Sequence, residues 1–139
     1  MNTVPKWFTP VAVLALLWNL LGCFMIAMDA MMPPDAVAAL PADQQAIHAA
    51  RAPWMVSGSI VAVAAGALGS LGLVLRRRWA TPLLILSVLG LVVQDLGFVL
   101  IARTLPIPTA GWIMQGLVLV IAILLVVMAR KAARHGWLR

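Results

Sequence analysis

Acidic side chains are scarce in this chain, and thiols and imidazoles are scarcer. The 139 residues include no glutamate, one cysteine and two histidines. Cys23 stands alone in an apolar stretch, so the paired thiols of a disulfide-exchange enzyme are lacking. His48 and His135 lie outside the apolar stretches, whereas a haem or redox metal in a helical bundle is normally held by histidines inside it. We therefore expect no enzyme, no metal and no cofactor.

Charge is also excluded from four long apolar stretches. Only 10% of the residues are charged and 64% are hydrophobic, against about 25% charged residues in soluble domains. A hydrocarbon layer of about 30 Å needs about 20 apolar residues per helix, and the four stretches cover roughly residues 9–31, 54–75, 80–102 and 111–129. The sequence predicts an all-α integral membrane protein, with four transmembrane helices in a compact bundle and one domain over residues 1–139. We expect the first stretch to be a retained helix and not a cleaved signal peptide.

The basic residues predict the orientation of these helices. Eight of the ten occur in three regions that share one side of a four-span bundle: Lys6, Arg76, Arg77, Arg78, Arg130, Lys131, Arg134 and Arg139. The positive-inside rule makes this side cytoplasmic, so both termini are expected in the cytoplasm. The net charge of +6 then indicates topology and contact with anionic lipid headgroups, and nucleic acid is not expected as a partner.

The helix starts repeat along the chain. Lys6-Trp7-Phe8-Thr9-Pro10 resembles Arg78-Trp79-Ala80-Thr81-Pro82, and residues 54–58 resemble residues 112–116. In the first pair we expect each threonine to cap a helix and each proline to occupy its first position. The order suggests a duplicated helical hairpin related by a pseudo-two-fold axis along the membrane normal. The alternative is that the helix starts are alike without any duplication, because the same residue types suit the start of any such helix.

The outer connection between the first two spans contains a further short helix. Pro41 precedes residues 42–51, which have helical character, and Pro53 is expected to end that helix. It is either a lid over the outer mouth of the bundle or a simple interfacial linker.

Polar residues that lie within the apolar stretches gather toward the outer side. Asp95 is the most costly, because an aspartate near a helix centre costs about 2.5–3.5 kcal/mol on insertion scales. One interpretation is an outward-facing cavity in which Asp95 binds a cation, a proton or a polar solute. The other is that Asp95 and Gln94 bond neighbouring helices. The candidate binding residues are Asp95, Gln94, Asp29, Asn19, Gln115 and Arg103.

Small residues recur at helical spacing in the second and third spans. Gly58, Ala62, Gly66 and Ser70 repeat every four residues, and residues 87, 90, 94 and 97 form a similar face. Such faces allow close backbone approach of two helices. They predict packing within the bundle, or else a homodimer or a larger membrane complex.

Three segments carry a resemblance to a known family. Residues 15–23 (ALLWNLLGC), residues 66–94 and the ending Gly136-Trp137-Leu138 resemble a family of small, uncharacterised four-helix bacterial inner-membrane proteins, some of which are labelled sugar transporters. The resemblance implies a bacterial inner-membrane location and favours transport. Two functions are therefore carried forward: binding or transport of a small polar solute or cation, and an accessory or scaffold subunit of a larger membrane complex.

Overall fold

The computed structural model describes residues 3–139, which fold into six α-helices without a strand. The helices are α1 (Phe8–Ala30), α2 (Pro34–Ala38), α3 (Ala42–Ala50), α4 (Pro53–Val74), α5 (Ala80–Ala102) and α6 (Thr109–Arg134). Helices α1, α4, α5 and α6 are long and apolar enough to cross a membrane. The predicted all-α fold with four such helices is confirmed, and the chain is a multi-pass membrane protein.

Two ends of the bundle can be distinguished. The basic end holds residues 3–7, the α4–α5 turn, the last turns of α6 and the residues after it, and it carries the eight clustered basic side chains. The distal end holds the α1–α4 connection, which includes α2 and α3, and the α5–α6 loop. The first three long helices lie within one residue of their predicted bounds. Helix α6 continues five residues beyond the predicted end, because Ala132 and Ala133 favour helix and basic side chains suit a helix C-terminus.

The prediction that a threonine caps each of the two similar helix starts is wrong for both α1 and α5. Helix α1 begins after Trp7 and α5 begins after Trp79, and neither has a side-chain cap. Both tryptophans already have right-handed helical dihedral angles, so each helix starts before its threonine. The hydroxyl of Thr81 is buried and has no hydrogen-bond partner within the described residues.

The closest helix contact joins α4 to α5 through small residues. A Cβ atom added at Gly90 would lie 2.7 Å from the backbone nitrogen of Ala62 and 2.8 Å from the carbonyl oxygen of Gly58. Ser87 donates a hydrogen bond of 2.6 Å to the carbonyl oxygen of Ala62. The two backbones therefore touch directly, and the predicted small-residue faces meet within one chain.

Helix α1 is attached to α4 by a polar contact in mid-bundle. The Asn19 amide donates to the Ser70 hydroxyl at 3.1 Å and to the carbonyl oxygen of Ala15 at 2.9 Å. A Cβ atom at Gly66 would collide with the amide oxygen of Asn19 and lie 3.0 Å from the hydroxyl of Ser87. Helices α1, α4 and α5 thus converge on Gly66, where no side chain fits.

An aromatic cluster closes the basic end. Phe8 is fully buried, and its ring centroid lies 5.7 Å from that of Trp137, with an interplanar angle of 72°. Trp7 packs edge-on against the same indole at 6.1 Å. Buried residues of all four long helices complete this cluster, namely Ala12, Ala15, Leu73, Ala80, Leu84, Leu125, Ala129 and Ala132. The four helices are therefore fastened together at this end.

Helices α4 and α6 end with the same hydrogen-bonded motif. After α6, Gly136 has a φ of 72° and the N–H of Trp137 donates to the carbonyl oxygen of Ala132 at 2.9 Å. After α4, Arg76 has a φ of 56° and the N–H of Arg77 donates to a carbonyl oxygen five residues earlier at 2.7 Å. Both are Schellman motifs. The left-handed conformation costs a residue with a Cβ atom roughly 1–2 kcal/mol, a cost that Arg76 bears and Gly136 does not.

The packing of the helices does not follow the sequence repeat. A pseudo-two-fold axis would make the α1–α6 contact equivalent to the α4–α5 contact. Helices α4 and α5 pack closely, whereas α1 and α6 do not pack along their lengths. The duplicated hairpin therefore stays a prediction, and the two halves differ where α4 has glycines and α6 has large aliphatic residues.

The Gly90 contact leads to a stability prediction. Gly90→Ala should destabilise the protein by about 1–3 kcal/mol, because overpacking forces the α4 and α5 backbones apart. Gly116→Ala on α6 is the matched control, since its added Cβ meets nothing within 4 Å. Thermal unfolding in detergent should show a lower Tm for Gly90→Ala and an equal or higher Tm for Gly116→Ala. Equal effects of the two changes would contradict the direct backbone contact.

Candidate solute cavity

A cavity of about 430 Å³ occupies the distal half of the bundle. All four long helices, and α3 from the connection, contribute to its wall. The lining residues are Ile26, Asp29, Ala30, Met32, Ile47, His48, Arg51, Met55, Val56, Ser59, Gln94, Phe98, Ile101 and Gln115. Eight of these fourteen residues are apolar and six are polar or charged, and small-molecule sites likewise combine an apolar wall with polar groups that orient the ligand.

On the two outermost helices, buried residues are confined to the basic end. On α1 the buried residues stop at Ala15, and on α6 they start at Leu125. Both sets belong to the cluster at the basic end. The distal half of each helix contributes no fully buried residue, so the bundle is closed at the basic end and opens toward the distal end.

An ion pair joins the end of α1 to the end of α3 at the cavity mouth. Arg51 donates from Nη1 to Asp29 Oδ2 at 2.8 Å and from Nη2 to Asp29 Oδ1 at 3.1 Å. The two side chains are 30% and 36% exposed. A paired, two-point contact fixes the relative orientation of both groups, so it holds the α3 segment beside α1.

Helix α3 is the short helix that the sequence predicts in the outer connection. It lies at the distal cavity. It presents Ile47 and His48 to the cavity. Gln45 donates two hydrogen bonds back to the preceding segment, to the carbonyl oxygens of Ala38 at 2.8 Å and Leu40 at 2.7 Å. The connection is thus internally braced and forms part of the cavity wall. Helix α3 ends at Ala50, before Pro53, and Pro53 is itself the first residue of α4.

A pair of amides faces the cavity from α5 and α6. Gln94 Nε2 donates to Gln115 Oε1 at 2.9 Å. Phe98 and Trp112 pack edge-on one turn farther along, with ring centroids 4.9 Å apart. The amide pair leaves the second Gln94 N–H, the Gln94 carbonyl oxygen and the Gln115 NH₂ group for other partners. These donors and acceptors form the polar surface opposite the ion pair.

The structure places the six predicted candidates in different surroundings. Asp29, Gln94 and Gln115 line the cavity. Asn19 lies at the α1–α4 contact and bonds Ser70. Arg103 is exposed after the end of α5, and Asp95 is half-buried outside the cavity lining. One carboxylate oxygen of Asp95 is fully enclosed without a hydrogen-bond partner among the described residues.

Several lining residues were not predicted. His48 lies outside the apolar stretches yet lines the cavity, and Ser59 and Phe98 carried no signal of their own. Ser59 lies four residues after Met55 and bonds its carbonyl oxygen at 3.3 Å. Both residues lie on a side of α4 next to its small-residue face, which includes Gly58 and Ala62. Their closeness to that face was the sequence signal that could have identified them as lining residues. Within residues 3–139, no group of three or more His, Cys, Asp or Glu residues is placed to hold a metal ion.

Comparison of the chain with family models, curated proteins and solved structures finds no match. The family resemblance of the sequence therefore stays a prediction.

The ion pair leads to a prediction about the local stability of helix α3. Arg51→Gln should loosen this segment, because a solvent-accessible pair contributes about 0.2–1 kcal/mol. Hydrogen exchange of residues 42–50 should accelerate by up to about fivefold, which is the rate change expected if the ion pair contributes about 1 kcal/mol. Arg103→Gln, which removes the same charge at the same end, should leave that exchange unchanged. Restored protection in the double variant Asp29→Arg, Arg51→Asp would support the pair, and equal exchange in both single variants would contradict it.

Proposed function

We propose that the protein binds a small polar solute in the distal cavity, which opens to the outer side of a bacterial inner membrane. The observation that supports this proposal is the distal cavity of about 430 Å³, which is lined by residues of all four long helices, while an aromatic cluster packs these helices together at the basic end. Its volume falls within the range of about 300–1,000 Å³ found for ligand sites.

The charges in the cavity favour a neutral or zwitterionic solute over a lone cation. Asp29 is the only carboxylate in the lining, and Arg51 already engages both of its oxygens. Desolvating a cation would require an uncompensated negative group, and Asp95 lies outside the lining. The amides of Gln94 and Gln115 instead suit hydroxyl, amide or carbonyl groups, while Ile26, Val56 and their neighbours suit an apolar part of the solute.

Transport requires a further step. The buried cluster that contains Phe8 and Trp137 lies at the basic end, away from the distal cavity. Uptake would therefore depend on separation of α1 and α6 at that cluster, or on a second copy of the chain. Binding is the primary proposal, and transport follows only if that end opens.

The alternative function is that of an accessory subunit, and one argument for it is weakened by the structure. The small-residue faces on which a partner helix was expected to dock are occupied by the α4–α5 and α1–α4 contacts. A partner would have to use the remaining faces of α1 and α6.

Solute binding can be tested with the purified chain in lipid nanodiscs. A panel of sugars, polyols and amino acids should contain a compound that raises the Tm. Gln94→Leu and Gln115→Leu should each weaken its binding about tenfold, the loss expected for one hydrogen bond of about 1.4 kcal/mol. Gln44→Leu is the control, because Gln44 is exposed on α3 outside the cavity. Unchanged affinity in the two cavity variants, or a panel without any stabilising compound, would count against the proposal.

The proposed orientation makes a separate prediction. Because eight of the ten basic residues lie at the basic end, this end should face the cytoplasm. A fluorescent protein that folds only in the cytoplasm should fluoresce when fused after Arg139. An alkaline phosphatase that is active only outside the cytoplasm should be inactive at the same position. The reverse pattern would invert the topology and turn the cavity toward the cytoplasm.

A further inference from the structure

A second cavity, of about 400 Å³, lies at the basic end. It is lined by Thr9, Val74, Leu75, Arg76, Arg77 and Arg139. Three arginines therefore contribute to the lining of one space, and no acidic residue is among the lining residues. The ion pair found within residues 3–139 joins Arg51 to Asp29 at the opposite end of the bundle. The cavity is consequently a strongly positive site without a counter-charge from a neighbouring side chain.

The backbone around these arginines is fixed by its own hydrogen bonds. Arg76 accepts the N–H of Arg139 at 2.6 Å, and Arg139 accepts the N–H of Arg78 at 2.8 Å. The N–H of Arg77 is used in the α4 end motif. Within residues 3–139, the guanidinium groups of Arg76 and Arg77 form no hydrogen bond or ion pair. A rigid turn thus presents two cationic side chains whose donors remain available.

The turn after α4 does not require an arginine at position 76, as comparison with the turn after α6 shows. The matching position of the α6 motif is Gly136, with a similar positive φ. Glycine adopts this conformation without a steric penalty, whereas Arg76 bears the cost of its Cβ atom. Strained residues are retained where the side chain has another role. The contrast between these two equivalent positions points to a ligand for the Arg76 guanidinium.

The surroundings of the cavity indicate what that ligand is. Trp7 and Trp79, at the starts of α1 and α5, are 46% and 41% exposed, as expected of indoles at the level of the headgroups. Leu75 is 54% exposed beside the arginines and offers an apolar contact. Guanidinium groups bind phosphate oxygens through paired, charge-assisted hydrogen bonds. We propose that this cavity binds a phosphate group, carried either by an anionic phospholipid or by a soluble phosphate.

The test uses the full chain in a neutral detergent, titrated with short-chain phosphatidylglycerol, short-chain phosphatidylcholine or inorganic phosphate. Phosphatidylglycerol should bind and raise the Tm, and Arg77→Gln should weaken its apparent Kd about tenfold, as for loss of a charge-assisted hydrogen bond. Arg134→Gln removes the same charge from the exposed last turn of α6, outside the cavity, and should change the Kd less than about twofold.

Arg76→Gly separates binding from folding. It should raise the Tm without ligand, because glycine removes the left-handed strain, and it should weaken phosphate binding. Stronger binding of phosphatidylglycerol than of inorganic phosphate supports a lipid ligand, and the reverse order supports a soluble one. Equal losses in Arg77→Gln and Arg134→Gln would overturn the site. So would binding of phosphatidylglycerol and inorganic phosphate no stronger than that of phosphatidylcholine, whose phosphate charge is balanced by its own choline cation.

Discussion

The direct contact between the backbones of α4 and α5 is the constraint on which the other features depend. In lipid there is no hydrophobic force to drive two apolar helices together, so their association rests on close packing and on interhelical hydrogen bonds. Gly58 and Gly90 provide the close packing, and Ser87 provides a buried hydrogen bond to α4. Helix α1 joins this pair through Asn19 at mid-bundle. These three helices therefore form the rigid part of the molecule.

The cavity follows from how the fourth long helix is attached. Helix α6 lacks a glycine face toward α1, and its buried residues are confined to the basic end. At the distal end it is held to α5 by the Gln94–Gln115 bond and the Phe98–Trp112 contact. Helix α3 forms part of the wall of the distal cavity, and the Asp29–Arg51 pair holds this segment to α1. Thus the packing that stabilises one end also creates the polar space at the other.

The sequence predicted the helices better than it predicted the site. Exclusion of charge from lipid is a strong and local constraint, so three of the four spans were located to within one residue. The side chains that meet in a cavity depend instead on the rotation and separation of neighbouring helices. Asp95 illustrates this: its cost in lipid was evident, but its position relative to α6 and the cavity was not. Asp29 and Gln94 were found because they are polar residues in the distal halves of otherwise apolar helices.

Solvent access along α4 tests the central claim most directly. In a Cys23→Ser background, Ser59→Cys would lie in the distal cavity, and Ser70→Cys would lie on the same helix where the native serine is fully buried. With the protein in lipid nanodiscs, a small water-soluble thiol reagent should modify position 59 rapidly and leave position 70 unmodified. An unreactive position 59, or equal reaction at both positions, would contradict a bundle that is closed at its basic end and open at its distal end.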